Sequence, residues 1–178
     1  MSNRGKEKAA PIEPDPIINI FFIFLNYTNV FFIAGAGVQW LRDKIKLINN
    51  AYETEEIVKS KIGNDGVYIV PAFTGLGAPH WSTDSKGLIT GLTRNTDWRN
   101  LVRAIIESVA YQSYDLFDAM RKDGSRPKII KVDGGMVANK WFAQFLSDIL
   151  NTKVLRPVIQ ETTALAVSYT HLTLPTKA

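Results

Sequence analysis

The chain has 178 residues, of which 46% are hydrophobic, so it is long enough to fold around one sizeable core. Its 21 basic and 17 acidic residues are mostly interspersed, without the long basic run that nucleic-acid binding favours. The absence of cysteine excludes disulfides, zinc–thiolate sites and thiol catalysis and fits a reducing compartment, and two histidines are too few for a histidine-rich metal site.

The first long apolar segment is Ile17–Ile33, which follows Arg4, Lys6 and Lys8 as a signal anchor would. Its longest unbroken apolar piece is only IFFIFL, whereas a membrane-spanning helix needs about 20 mostly apolar residues. We therefore favour a buried strand pair, or sequence foreign to the domain that follows, over membrane insertion.

Regular patterns begin at Ala34, and apolar residues recur at helical spacing as far as Asn50. This spacing predicts a helix with glycines at its N-terminal end. A short second helix is expected over Glu53–Lys61, before the turn residues Gly63–Gly66. The run VYIVPAF is typical of a strand that Pro71 confines to an edge or a strand end, and GLITGLT is typical of a strand with glycine at both ends.

The C-terminal half begins with the longest predicted helix, Asp97–Lys122, in which apolar residues recur every three or four positions. Asp97 can cap its start, and Gly124 can end it. A strand at Lys128–Val132, a helix at Asn139–Leu150 and a short strand near Val154 follow. This alternation predicts an α/β fold with helices packed on a sheet.

The junction between that strand and helix contains Gly134 and Gly135. In open α/β sheets, ligands bind beyond the carboxyl ends of strands, and a backbone without side chains lets a flat or charged group approach. Asn139 could hydrogen-bond the edge of a purine. A Gly-Gly turn and an Asn N-cap explain the same residues, and the residues alone favour this second interpretation.

A second candidate pair is Gly35 and Gln39, a glycine at a helix start with an amide one turn later on the same face. Phosphate or ribose could bind there. A close-packed helix start with a solvated glutamine is the favoured alternative, because the glycine pattern is weak. No paired carboxylates and no Ser, His and Asp arrangement stand out, so the residues predict neither a catalytic group nor a metal site.

Four longer stretches of the chain are AGAGVQWLRD, DGVYIVPAFTGLGAPHW, GLITGLTRNTDWRNLVRAIIESVAYQ and VDGGMVANKWFAQFLSDIL. Together they resemble the C-terminal domain of the FGGY carbohydrate kinases, and within that family the branch that phosphorylates glycerol. The third fits the second signature of the family through Gly87–Gly91 and Asn100–Glu107. The loop VPAFTGLGAPHW separates the glycerol branch from the pentose kinases. The resemblance covers about Phe32 to Leu165.

The resemblance implies a partial actin-like, ribonuclease-H-like α/β domain with a mixed sheet and flanking helices. ATP with Mg²⁺ would lie in a cleft between it and a domain that binds the polyol, in a cytoplasmic enzyme that can form homo-oligomers. Gly35 and Gln39 match family residues on the phosphate and sugar side of the nucleotide. Gly135 and Asn139, with Gly134 beside them, match residues that contact the adenosine.

The sequence also departs from the family pattern. Residues 1–30 and the tail 168–178 do not match, which leaves 31–167 as an incomplete nucleotide-binding domain, and we expect both ends to lie outside the fold. The glycerol-binding residues, the first phosphate loop and the catalytic aspartate of the family lie upstream of the matching region. We therefore expect a piece of a glycerol-phosphorylating kinase that binds nucleotide weakly and has no turnover alone. A non-catalytic interaction module, a fragment of another FGGY sugar kinase and a membrane-anchored protein are the alternatives.

Overall fold

A computed structural model describes residues 17–19, 32–124, 127–132 and 135–156. The elements in chain order are β1 (Ile17–Asn19), α1 (Phe32–Asp43), α2 (Glu53–Lys59), β2 (Tyr68–Val70), β3 (Leu88–Thr90), α3 (Trp98–Lys122), β4 (Ile129–Lys131), a 3₁₀ helix (Gly135–Ala138), α4 (Lys140–Leu150) and β5 (Lys153–Leu155).

The strands form two sheets in the described part of the chain. One is parallel with the order β1-β4-β5, and the other is the antiparallel pair β2-β3. The chain passes from β4 through the 3₁₀ helix and α4 to β5, which confirms the predicted strand, helix, strand order. Parallel and antiparallel pairing thus occur in separate sheets. Strand β2 ends at Val70, directly before Pro71, as the proline predicted.

Strand β1 comes from the segment expected to lie outside the fold. Ile17 pairs with Ile129 and Asn19 with Lys131, in parallel register. The expectation that residues 1–30 lie outside the fold is therefore wrong at these three positions. They instead agree with the alternative of a strand in this apolar segment, since β-branched isoleucines suit strand pairing. Of the apolar segment Ile17–Ile33, residues 20–31 lie outside the described residues, as does the tail 168–178. No helix in the described ranges is long and apolar enough to cross a membrane.

Helix α1 ends at Asp43, seven residues earlier than the apolar spacing predicted. The N–H groups of Lys44 and Ile45 both donate to the carbonyl of Trp40, and Lys46 has a φ of 59°. The chain therefore turns, which exposes Ile45 and returns Ile48 to the core. In the sequence Ile48 stands at the spacing expected of a helix, but in the structure it follows the helix end and reaches the core from this turn.

Helix α3 is the centre of the fold and packs against α1, α2, α4 and β2. Asp97 accepts hydrogen bonds from the N–H groups of Arg99 and Asn100, and the Asn100 side chain accepts one from the N–H of Asp97. This capping box confirms the predicted helix start. Gly124, with a φ of 92°, follows the helix end. The buried face of α3 includes Val102, Ile105, Ile106, Leu116 and Phe117.

Gly91, directly after β3, stands where the backbone conformation and the lack of space both require glycine. Gly91 has a φ of 78°, and a Cβ added there would collide with the carbonyl oxygen of Gly66. We expect Gly91→Ala to lower the free energy of unfolding, measured by urea denaturation, by more than about 2 kcal/mol. Gly66 shares the φ of 78° but has open space around an added Cβ, so Gly66→Ala should lose only about 1 kcal/mol. Equal losses in the two variants would show that the collision is relieved without cost.

Candidate functional site

The candidate site lies where β4 leads through the 3₁₀ helix into α4. Gly135 begins the 3₁₀ helix and is exposed. A Cβ added at Gly135 would meet no atom within 4 Å, so packing in the described part of the chain does not require glycine here. The backbone at Gly135 is open to a neighbouring group. Gly134 lies outside the described residues.

The second candidate pair lies on α1. Gly35 and Gln39 are both exposed, and a Cβ at Gly35 would also meet nothing within 4 Å. Gly37 differs, because its added Cβ would lie 2.9 Å from Cγ2 of Ile105. The close packing that the sequence suggested for the start of this helix therefore belongs to Gly37. Glycine within a helix costs about 0.5–1 kcal/mol relative to alanine. The open space around an added Cβ at Gly35 gives no packing reason for that cost.

Asn139 lies at the start of α4 and is buried, with 8% of its surface exposed. Its Oδ1 accepts a hydrogen bond of 2.9 Å from the N–H of Phe142, which makes Asn139 the N-cap of α4. Its Nδ2 donates to Oγ1 of Thr54 at 3.2 Å. The structure confirms the capping interpretation of Asn139, while a ligand contact stays a prediction.

Helix α2 holds the start of α4 through two adjacent residues. Thr54 accepts from Asn139, and a carboxylate oxygen of Glu55 accepts from the N–H of Lys140 at 3.1 Å. The hydrogen bond from Lys59, and to a smaller degree that from the Lys140 N–H, lower the pKa of Glu55. Neither Thr54 nor Glu55 was predicted from the sequence, since each contact joins positions 85 residues apart.

The candidate elements are neighbours in space. Helix α1, which carries Gly35 and Gln39, packs against the 3₁₀ helix that begins at Gly135. Because α4 follows that 3₁₀ helix directly, Asn139 is connected to the same region. The fold thus brings together the elements that carry the four described candidate residues, namely α1 and the 3₁₀ helix with α4.

A buried ion pair supports α2 and α4 from α3. Nε of Arg103 lies 2.6 Å from Oε1 of Glu107, and both side chains are almost fully buried. Arg103 also donates to the carbonyl groups of Val58 and Lys61, at the end of α2, and its guanidinium lies 4.8 Å from the ring centre of Trp141 on α4. Arg103 on α3 therefore contacts both α2 and α4.

The other oxygen of Glu107 accepts from Nδ2 of Asn64 at 2.9 Å and lies 3.3 Å from the hydroxyl of Tyr111. Burial, with the Glu107 charge as the next cause, raises the pKa of Tyr111 to about 12. The carboxylate is thus satisfied on both oxygens, as a buried charge requires.

The parallel β4–β5 unit and the buried α3 that packs against α4 fit a domain of the α/β class. The chain belongs to the FGGY family of carbohydrate kinases, whose C-terminal domain is matched by residues 25–167. This confirms the family resemblance of the sequence.

The relatives include glycerol kinases. The chain is 55% identical to glycerol kinase 1 of Pseudomonas aeruginosa over 138 residues, which cover 78% of this chain and 28% of the relative. It is 55% identical to the glycerol kinase of Gluconobacter oxydans over 139 residues, covering 78% of this chain and 27% of that protein. The chain therefore spans little more than a quarter of the length of these relatives.

Comparison with a solved structure shows that the fold of this chain also resembles that of a glycerol kinase. The structure of Plasmodium falciparum glycerol kinase with ADP superposes with a TM-score of 0.70 and 41% sequence identity, covering 76% of this chain and 27% of that chain. The predicted α/β, actin-like class of fold is confirmed, and the chain holds part of that domain.

Proposed function

We propose that this chain is the nucleotide-binding part of an ATP-dependent glycerol kinase, a cytoplasmic enzyme that converts glycerol to glycerol 3-phosphate. The observation that carries the proposal is the 55% identity to glycerol kinases over 78% of the chain. The glycerol kinase of Plasmodium falciparum was crystallised with ADP, which supports a nucleotide as the ligand.

In this proposal the nucleotide spans two elements. The start of α1, with Gly35 and Gln39, contacts the phosphate and sugar side. Gly135 and Gly134 contact the adenosine, together with Asn139. The open space around Gly35 and Gly135 supports this assignment, because each lets a ligand approach the backbone at a place where described packing does not call for glycine.

Phosphoryl transfer depends mainly on positioning the nucleotide and stabilising charge on the transferred group. The residues of this chain would position the nucleotide by holding the nucleoside against the 3₁₀ helix. Glycerol would bind to another domain of the enzyme. Mg²⁺ enters the proposal as the ion that accompanies the phosphates of ATP. The described residues do not form a metal site of their own, since no three His, Asp or Glu side chains converge there.

A binding measurement on the 178-residue chain tests the proposal. We expect ATP and ADP to broaden and shift resonances of Gly35 and Gly135 in ¹⁵N NMR spectra, and ADP to displace ATP. The chain alone, given ATP, Mg²⁺ and glycerol, should form no glycerol 3-phosphate above a blank, because general-base and γ-phosphate contacts are not among the proposed roles of its residues. A folded chain that bound neither nucleotide at millimolar concentration would refute the proposed site, and glycerol 3-phosphate formation would refute the division of roles.

A further inference from the structure

The orientation of the Asn139 amide is determined by its partners. The N–H of Phe142 can only donate, so the atom that faces it at 2.9 Å must be Oδ1. Nδ2 therefore faces Thr54 at 3.2 Å. The Thr54 hydroxyl donates its own hydrogen to the carbonyl of Ala51 at 2.7 Å, which leaves its oxygen to accept from Asn139. The three hydrogen bonds have one consistent direction.

The residues that form these linked hydrogen bonds, Thr54 and Asn139, are shielded from water. Thr54 is 3% exposed and Asn139 is 8% exposed. In a buried setting, an amide that loses its partner cannot replace it with bulk water. Glu55, next to Thr54, holds the N–H of Lys140, next to Asn139. The first turn of α2 therefore accepts hydrogen bonds from two consecutive residues at the start of α4, Asn139 and Lys140.

We infer that Thr54 is a positioning residue for the nucleotide site. Its hydroxyl holds the Asn139 amide in one orientation and so keeps the 3₁₀ helix and the start of α4 in the geometry that receives the adenosine. The inference rests on the proposed function, because it assigns the purpose of the Thr54–Asn139 bond to nucleotide binding. Thr54 itself need not touch the ligand.

The test compares three substitutions on α2 in the 178-residue chain. Thr54→Val replaces the hydroxyl by a methyl group of similar size, and Thr54→Ser keeps the hydroxyl. Ile57→Val removes one buried methylene from the same helix without removing a hydrogen bond of Asn139, and it controls for lost stability. We expect Thr54→Val to weaken ADP binding about tenfold, and Thr54→Ser and Ile57→Val to change it less than about twofold.

A second measurement addresses the amide directly. The side-chain NH₂ resonances of Asn139 should shift and exchange faster with solvent in Thr54→Val than in the wild-type chain, with or without ADP. Unchanged NH₂ resonances, unchanged ADP affinity in Thr54→Val, or an equal loss in Ile57→Val would each overturn the inference while leaving the proposed function intact. A wild-type chain that bound no ADP would overturn both.

Discussion

The Gly135→Val variant is expected to bind ADP at least about tenfold more weakly than the wild-type chain while keeping its fold. The branched side chain would place two methyl groups over the backbone where the adenosine is proposed to lie. The fold should tolerate the change, because a Cβ at Gly135 meets no atom within 4 Å. Titration of ADP followed by NMR or calorimetry measures the effect.

The matched control is Gly63→Val, which adds the same side chain to the turn between α2 and β2. An added Cβ at Gly63 lies 3.9 Å from the backbone nitrogen of Asp65, an ordinary contact. This variant should retain wild-type affinity for ADP. If Gly135→Val bound ADP as tightly as the control, the adenosine could not lie against this backbone.

The Glu107→Ala variant is expected to lose about 3–5 kcal/mol in the free energy of unfolding. Removing the carboxylate leaves the Arg103 guanidinium charged and almost fully buried without its 2.6 Å partner. It also removes an acceptor from Asn64 and Tyr111. Urea denaturation followed by circular dichroism gives the value, with the slope of the transition compared between variants.

The same helix supplies a control for Glu107→Ala. Asp118 and Lys122 form an ion pair at the same i, i+4 spacing with an N–O distance of 2.8 Å, but their side chains are 39% and 76% exposed. Asp118→Ala should therefore lose less than about 1 kcal/mol, since water replaces the lost partner. A loss in Glu107→Ala no larger than in Asp118→Ala would mean that the buried pair contributes nothing beyond an exposed one.

Much of the fold could be predicted from local patterns. The apolar spacing of α3, the Asp97 cap and the turn at Gly124 are properties of neighbouring residues, and the structure agrees with each. The strand, helix, strand order around α4 was equally visible, because alternating apolar runs and turn residues record it. The longer motifs identified the family, which no single glycine pair could do.

Other features depend on residues that are distant in sequence. The apolar spacing predicts the end of α1 too late, because Ile48 matches the helical spacing but reaches the core through a turn at Lys46. Strand β1 exists through its pairing with β4, where Ile17 lies beside Ile129. Local spacing cannot distinguish these cases, since burial is decided by the partner element.

At the candidate site the sequence determined which residue types were present: glycines, a glutamine and an asparagine before a helix. The tertiary structure decided what surrounds them. It assigned close packing to Gly37 and open space to Gly35, and it joined Asn139 to Thr54 across 85 positions. The physical reason is that a side chain's hydrogen-bond partners and free space are set by how α1, α2 and α4 pack around α3. Apolar spacing shows which face of a helix is buried, but it does not record which residues of another element that face meets.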